Sequence, residues 1–274
     1  MRQRLTLSHT FRSMGRELGL HIGVTGHRLV VISPLWRKAL STESSFCRAV
    51  VTAGYLTERQ MLRAASRYRL GGSRQGGVIF WQIDHEGRIH DGKVMYYRDD
   101  CHRDKDHRPT WVSTLLRRRC RWADDDRLYT THCLFGLHLL SERRPWRGND
   151  VRTVCVVEAE KTAVILSEHY PDCLWMATGG LSELQPEKLR PLRGRQVILF
   201  PDTDPDGTAF RRWHDTARLT MAQPYWEHCP PIRVSPLLEL QATPEQKARK
   251  IDLIDFRFER QEPLPHEPQT PRTT

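Results

Sequence analysis

Val197-Ile198-Leu199-Phe200-Pro201-Asp202-Thr203-Asp204-Pro205-Asp206-Gly207 is the stretch on which the reading turns. Four uninterrupted apolar residues form a strand buried on both faces, the kind found in parallel sheets. Three aspartates follow at once. On extended chain, side chains two residues apart point the same way, so Asp202 and Asp204 are placed to share a hard divalent cation. Mg²⁺ takes one or two carboxylates and fills its remaining positions with water or phosphate oxygens, which suits such a pair, with Asp206 as a further oxygen donor. Gly207 permits the tight turn into a helix expected over Thr208–Leu219. The plainer alternative is an acidic strand-to-helix loop in which Asp206 caps that helix. The spaced ligands and terminal Glu of an EF-hand are missing.

Upstream, Val154-Cys155-Val156-Val157-Glu158-Ala159-Glu160-Lys161 repeats the arrangement. A buried strand ends on an acid where a helix over Glu160–His169 begins, and open α/β sheets build their sites at the carboxyl ends of strands. Glu158 is therefore a candidate metal ligand or general acid/base. Taken alone, it is more simply an acid favoured by a helix N-terminus. Between these motifs lies a third apolar strand, Leu174–Ala177, which runs into Gly179-Gly180 and a short helix over Pro186–Leu192. Apolar strands alternating with helices predict an α/β fold with a mostly parallel sheet.

The rest of the chain is organised around this unit. Its 274 residues suit one large domain or two small ones. Forty-three Lys and Arg against 33 Asp and Glu leave a net charge of +10, which favours an anionic partner. No apolar run reaches the roughly 18 residues of a membrane span, and no apolar core with a small-residue cleavage site follows the basic N-terminus. Seven cysteines, irregularly spaced and without a CxxC pair, argue against a disulfide framework or zinc ribbon, so reduced cytoplasm is expected. Residues 1–43 read as a poorly ordered basic arm, with a helical start conceivable at Ser8–Leu20. Residues 44–150 hold a helical pair, whose second member opens on a Thr57/Gln60 capping box, and a β-rich subdomain built on Val78–Ile83 and a return through Arg88-Ile89 and Lys93–Tyr97. Residues 151–260 form the α/β unit, closed by a last helix from Thr243. The Pro-rich tail 261–274 is expected to be disordered.

Taken together, a strand ending in Glu158, a strand ending in Gly179-Gly180 and a strand ending in Asp202-x-Asp204 resemble the toprim domain of bacterial DNA primases, topoisomerases and some nucleases. The likeness to primases extends upstream. Phe80-Trp81-Gln82-Ile83-Asp84 with Gly87-Arg88-Ile89 resembles a hairpin of the primase core, and Phe135-Gly136-Leu137 resembles the segment before its toprim strand. Glu158-Ala159-Glu160-Lys161-Thr162-Ala163 and Phe200-Pro201-Asp202-Thr203-Asp204 resemble an uncharacterised toprim family of bacterial mobile elements. The resemblance implies a toprim-like, mostly parallel sheet flanked by helices, preceded by a smaller primase-core-like β subdomain. It implies Glu158, Asp202 and Asp204 as catalytic and metal-binding residues, with Mg²⁺ (or Mn²⁺) as cofactor. The activity implied is primase-like nucleotidyl transfer on DNA or RNA from nucleoside triphosphates, with replication or mobilisation proteins of a mobile element as partners. A toprim nuclease and a catalytically weak nucleic-acid-binding accessory are the alternatives.

The departures are as specific as the matches. Primases carry an N-terminal zinc module, for which no Cys/His spacing is present here. Their first motif reads Val-Glu-Gly with an Asp four residues after the Glu, and those positions are Ala159 and Thr162. Gly87–Lys93 satisfies GxxxxGK, yet it lacks the Ser/Thr that holds Mg²⁺ and continues as a strand where a phosphate loop requires a helix. Cys101, His102, His107, Cys120, His132 and Cys133 match no common zinc pattern. Arg117, Arg118, Arg119 and Arg121 with Lys93, near Tyr96, Tyr97, Trp111 and Trp122, suit a groove that tracks a nucleic-acid backbone and stacks its bases.

Overall fold

The computed structural model describes residues 21–25, 28–32, 43–115, 131–141 and 152–260. Within the stretch read as a poorly ordered arm, β1 (His21–Thr25) and β2 (Arg28–Ile32) pair antiparallel. Ile22 and Val24 alternate with His21, Gly23 and Thr25, a two-residue period that the basic flanks obscure. Residues 1–20, 26–27 and 33–42 lie outside the described residues, and so does the Ser8–Leu20 segment.

The helical pair forms as its caps dictate. α1 (Ser45–Thr52) starts where the Ser44 hydroxyl accepts the Cys47 N–H at 3.2 Å. α2 (Glu58–Arg67) opens on the Thr57/Gln60 capping box. Next, β3 (Gly71–Gly72), β4 (Val78–Ile83), β5 (Ile89–Met95) and β6 (Thr110–Trp111) make an antiparallel sheet in that order. The Asp84 carboxylate accepts the Glu86 and Arg88 N–H groups, each at 2.9 Å, and so fixes the turn between β4 and β5. Gly87–Lys93 is thus a hairpin arm and not a phosphate loop.

The second sheet is parallel. β7 (Val154–Val157), β8 (Leu174–Ala177), β9 (Val197–Phe200) and β10 (Ile232–Val234) stand in the order β10-β9-β7-β8. They are joined by α3 (Glu160–His169), α4 (Pro186–Leu189) and α5 (Thr208–Met221). Every residue of β7 and β8 is buried, as the unbroken apolar runs predict. α6 (Leu237–Gln241), α7 (Pro244–Arg249) and α8 (Leu253–Arg260) complete the described chain. The single last helix expected from Thr243 is therefore two. α7 begins on the expected capping chemistry but stops at Lys250, whose backbone turns left-handed at φ 57.

The two sheets share one apolar core, in which Phe46, Phe80, Phe135, Val156, Met176 and Trp213 are all buried. Tyr68, at the end of α2, stacks on Phe135 at 5.1 Å and donates its hydroxyl to the Trp175 carbonyl at 2.8 Å. Phe135 exchanges backbone hydrogen bonds with Ala177 at 2.9 and 3.1 Å, so the segment before β7 zips onto the outer edge of β8. Gly136 makes that approach possible: its φ is 84, and a Cβ there would lie 3.0 Å from the Trp175 oxygen. Among the described residues no helix is long and apolar enough to cross a membrane.

Candidate active site

From β7 the chain moves outward to β8, then returns to place β9 on the other flank of β7, with β10 beyond it. The strand order thus reverses between β7 and β9, and the crevice at such a switch point is where open parallel sheets bind ligands. Glu158 leaves the carboxyl end of β7 and Asp202 that of β9. They meet there: the Asp202 N–H donates to Glu158 Oε1 at 3.3 Å. Glu158 is only 9% exposed. Burial raises its carboxyl to about 7, the Asp202 amide pulls back, and the charges of Asp204 and Asp252 push further up, against that of Arg212. Asp202 is raised as well, by burial first and then by Glu158. Each carboxyl thus resists ionising, through burial first and the other's charge next, and a cation would relieve both.

Asp204 does a different job. Its Oδ1 accepts the Asp206 and Thr208 N–H groups, both at 3.0 Å, and its Oδ2 the Ala209 N–H at 2.7 Å. Asp204, and not Asp206, therefore holds the first turn of α5. Against the cost of burial, these amides keep its carboxyl below the usual range, aided by the charge of Lys250. Asp206 is exposed. Gly207 takes the left-handed turn the sequence predicts, at φ 65, and Gly179 and Gly180 have φ 89 and 152. The Gly179 carbonyl accepts Lys93 Nζ at 2.8 Å, and Lys93 also pairs with Glu160 at 3.2 Å. Lys93, assigned to nucleic acid from sequence, is thus committed to a clamp between β5 and the start of α3. Arg117, Arg118, Arg119 and Arg121 lie outside the described residues, as do Cys120 and Trp122. Of the aromatics grouped with them, Tyr97 belongs to the core against Phe46, while Trp111 stacks on His132 at 4.0 Å and Tyr96 on His107 at 4.4 Å.

Sequence reading missed Asp252, at the head of α8. Its carboxylate accepts the Thr162 hydroxyl at 2.7 Å and pairs with Lys161 at 3.3 Å, with Asp255 3.8 Å from the same ammonium. Burial alone would lower the Lys161 ammonium, but Asp252 and Asp255 outweigh it and hold the charge on. The one available hint was Thr162, which stands where the primase motif has an aspartate. A carboxylate from the far end of the chain now lies against that threonine.

Among the described residues no three His, Cys, Asp or Glu side chains gather closely enough to enclose a metal ion. What Glu158 and Asp202 offer is an all-oxygen pair. That donor set fits Mg²⁺, which binds through one or two carboxylates and leaves its other positions to water and phosphate.

Fold and site together define an α/β protein with a carboxylate pair at the switch point of a parallel sheet. The chain belongs to the family described as a domain of unknown function (DUF6371), whose model matches residues 44–203, more than half of its length. No curated protein matches it. Among solved structures, it is similar to the primase fragment of the bacteriophage T7 primase-helicase, at 19% identity over 64% of this chain and 60% of that one, with a TM-score of 0.38. It is similar to the DnaG catalytic core at 15% identity, over 83% of this chain and 77% of that one, with a TM-score of 0.45. For a DNA primase domain from Pseudomonas aeruginosa the figures are 17%, 90%, 71% and 0.39. Likenesses this loose leave both fold and activity to be argued from the residues.

Proposed function

We propose that this protein carries out metal-dependent phosphoryl transfer on nucleic acid, of the primase type, at a toprim-like site. The observation that carries the reading is the meeting of Glu158 and Asp202 at the switch point between β7 and β9, through the 3.3 Å Asp202 N–H bond to Glu158. Those two residues would hold Mg²⁺ (or Mn²⁺), which supplies neutralising charge to a phosphate or nucleoside triphosphate. Asp204 fixes the loop through the α5 amides, so that Asp202 is presented on rigid backbone. Lys161 and Thr162, in the first turn of α3 after Glu158, are tied to Asp252 at 3.3 and 2.7 Å. The low exposure of Glu158 strengthens the charge interactions around the pair. The basic excess over the whole chain suits DNA or RNA as substrate, and the motif resemblance suggests replication or mobilisation proteins of a mobile element as partners.

The test is a template-dependent nucleotide-incorporation assay beside a strand-cleavage assay, both with Mg²⁺ or Mn²⁺. Incorporation by the wild-type chain, reduced by about two orders of magnitude or more in Asp202→Asn and Glu158→Gln, is the expected result. Cleavage without incorporation would replace the primase-type reading with a nuclease. Salt-sensitive DNA binding that survives Asp202→Ala/Asp204→Ala, with no turnover from wild type, would leave only an accessory binding protein.

A further inference from the structure

Beyond residue 203 the chain leaves the part that matches its family's model, and besides the Asp252 carboxylate it brings cations back to the site. Most cations nearby are already committed. Lys161 is held by Asp252 at 3.3 Å, Lys93 by Glu160 at 3.2 Å, and Lys247 by Glu239 at 3.2 Å. Arg211 reaches the Thr208 hydroxyl at 3.4 Å. Lys250 and Arg212 differ. Both are exposed, and among the described residues neither side chain makes a hydrogen bond or close ion pair.

Their placement is fixed by backbone. The Ile251 carbonyl accepts the N–H of Thr203, the residue between Asp202 and Asp204, at 3.2 Å. Asp252 is tied to Thr162. Lys250 is therefore pinned at the lip of the acidic loop by the two residues that follow it. Arg212 stands on α5, whose first turn Asp204 caps. The fields of both cations reach the site without touching it, Lys250 at Asp204 and Arg212 at Glu158. Lys250 also holds a left-handed backbone, φ 57 and ψ 53, at a helix end where glycine is the unstrained choice. A lysine held in that conformation at the edge of the acidic loop, with no side-chain hydrogen bond or close ion pair among the described residues, is available to a ligand.

We propose that Lys250 and Arg212 form a phosphate-gripping wall of the Glu158–Asp202 site, receiving a phosphate group of a nucleotide or nucleic-acid substrate. The proposal rests on the reading that this site acts on phosphates. It assigns the grip on substrate to the segment 204–260, while the metal-holding pair belongs to 44–203.

The experiment measures binding to the full chain, with Mg²⁺ present, of two fluorescent probes: a nucleoside triphosphate and a short single-stranded oligonucleotide. Lys250→Gly removes the ammonium and relieves the left-handed strain, so its melting temperature should equal or exceed that of wild type. Affinity should nonetheless fall about tenfold in Lys250→Gly and about a hundredfold in Lys250→Gly/Arg212→Gln, while Lys250→Arg stays close to wild type. A loss confined to the triphosphate identifies a nucleotide phosphate. A loss confined to the oligonucleotide, with a shallower salt dependence, identifies the backbone. Unchanged affinity of the double variant for both probes, or no wild-type binding of either, overturns the proposal. Mn²⁺ binding, followed in parallel by electron paramagnetic resonance, separates the two claims. Mn²⁺ bound by wild type and by the double variant, with probe affinity unchanged between them, sinks the wall alone. No Mn²⁺ bound by wild type, with the probe losses intact, sinks the metal reading alone.

Discussion

At His138, Nε2 faces the Arg67 carbonyl at 3.0 Å and must carry the hydrogen, while Nδ1 is buried without a partner. Burial is the largest influence, and it pushes the ring down from its ordinary value near 6.5 to about 4. The unfolded chain therefore takes up a proton between those values that the folded chain refuses. Stability from this group is complete above about pH 6.5 and is lost as pH falls toward 4, by an amount of order 3 kcal/mol. Urea unfolding of wild type across pH 4–7 should show that slope, and His138→Gln, which can still donate to Arg67, should lack most of it. An equal slope in both would refute the assignment. The same scale shows what sequence can and cannot reveal. Glu158 and Asp202 were legible because each ends an unbroken apolar strand, and strand ends are where such sheets place chemistry. Asp252 and Lys250 carry no motif; the Thr203–Ile251 backbone bond and the Thr162–Asp252 side-chain bond bring them in across tens of residues, which no local pattern encodes.

Elements were legible to the extent that burial wrote a period into them. β7, β8 and β9 read directly as apolar runs, and the caps of α2 and α7 as side-chain chemistry. α8 was lost because nothing around Lys250 announces a helix break: a lysine in left-handed conformation looks like any other residue in sequence. Lys93, grouped from sequence with the basic cluster, has partners that its neighbours along the chain do not announce. It joins β5 to α3 through Glu160, whose side chain is 3% exposed. Lys93→Met would leave that carboxylate buried and unpaired, at a cost of about 3–5 kcal/mol, whereas Lys93→Met/Glu160→Leu should recover most of the loss. Denaturant midpoints of the two single variants and the double variant give the cycle directly. A Lys93→Met protein of normal stability but weakened DNA binding would return Lys93 to the nucleic-acid interface.

Across the whole molecule, the mixed α/β class with a parallel sheet followed from the alternation of apolar strands with helices. That the antiparallel and parallel sheets share one core did not, because the contacts between Phe80, Phe135 and Tyr68 are long-range. The net charge of +10 also gains a distribution. Carboxylates occupy the switch point, most nearby cations are spent on internal pairs, and Lys250 and Arg212 remain on the rim. The central claim is that Glu158 and Asp202 form a divalent-cation site. Anomalous diffraction from crystals of the full chain grown with Mn²⁺ addresses it most directly. A peak within bonding distance, about 2.0–2.3 Å, of carboxylate oxygens from both residues is expected, as is its disappearance in Asp202→Asn. No peak there, or a peak held by other residues while this pair stays bare, would contradict it.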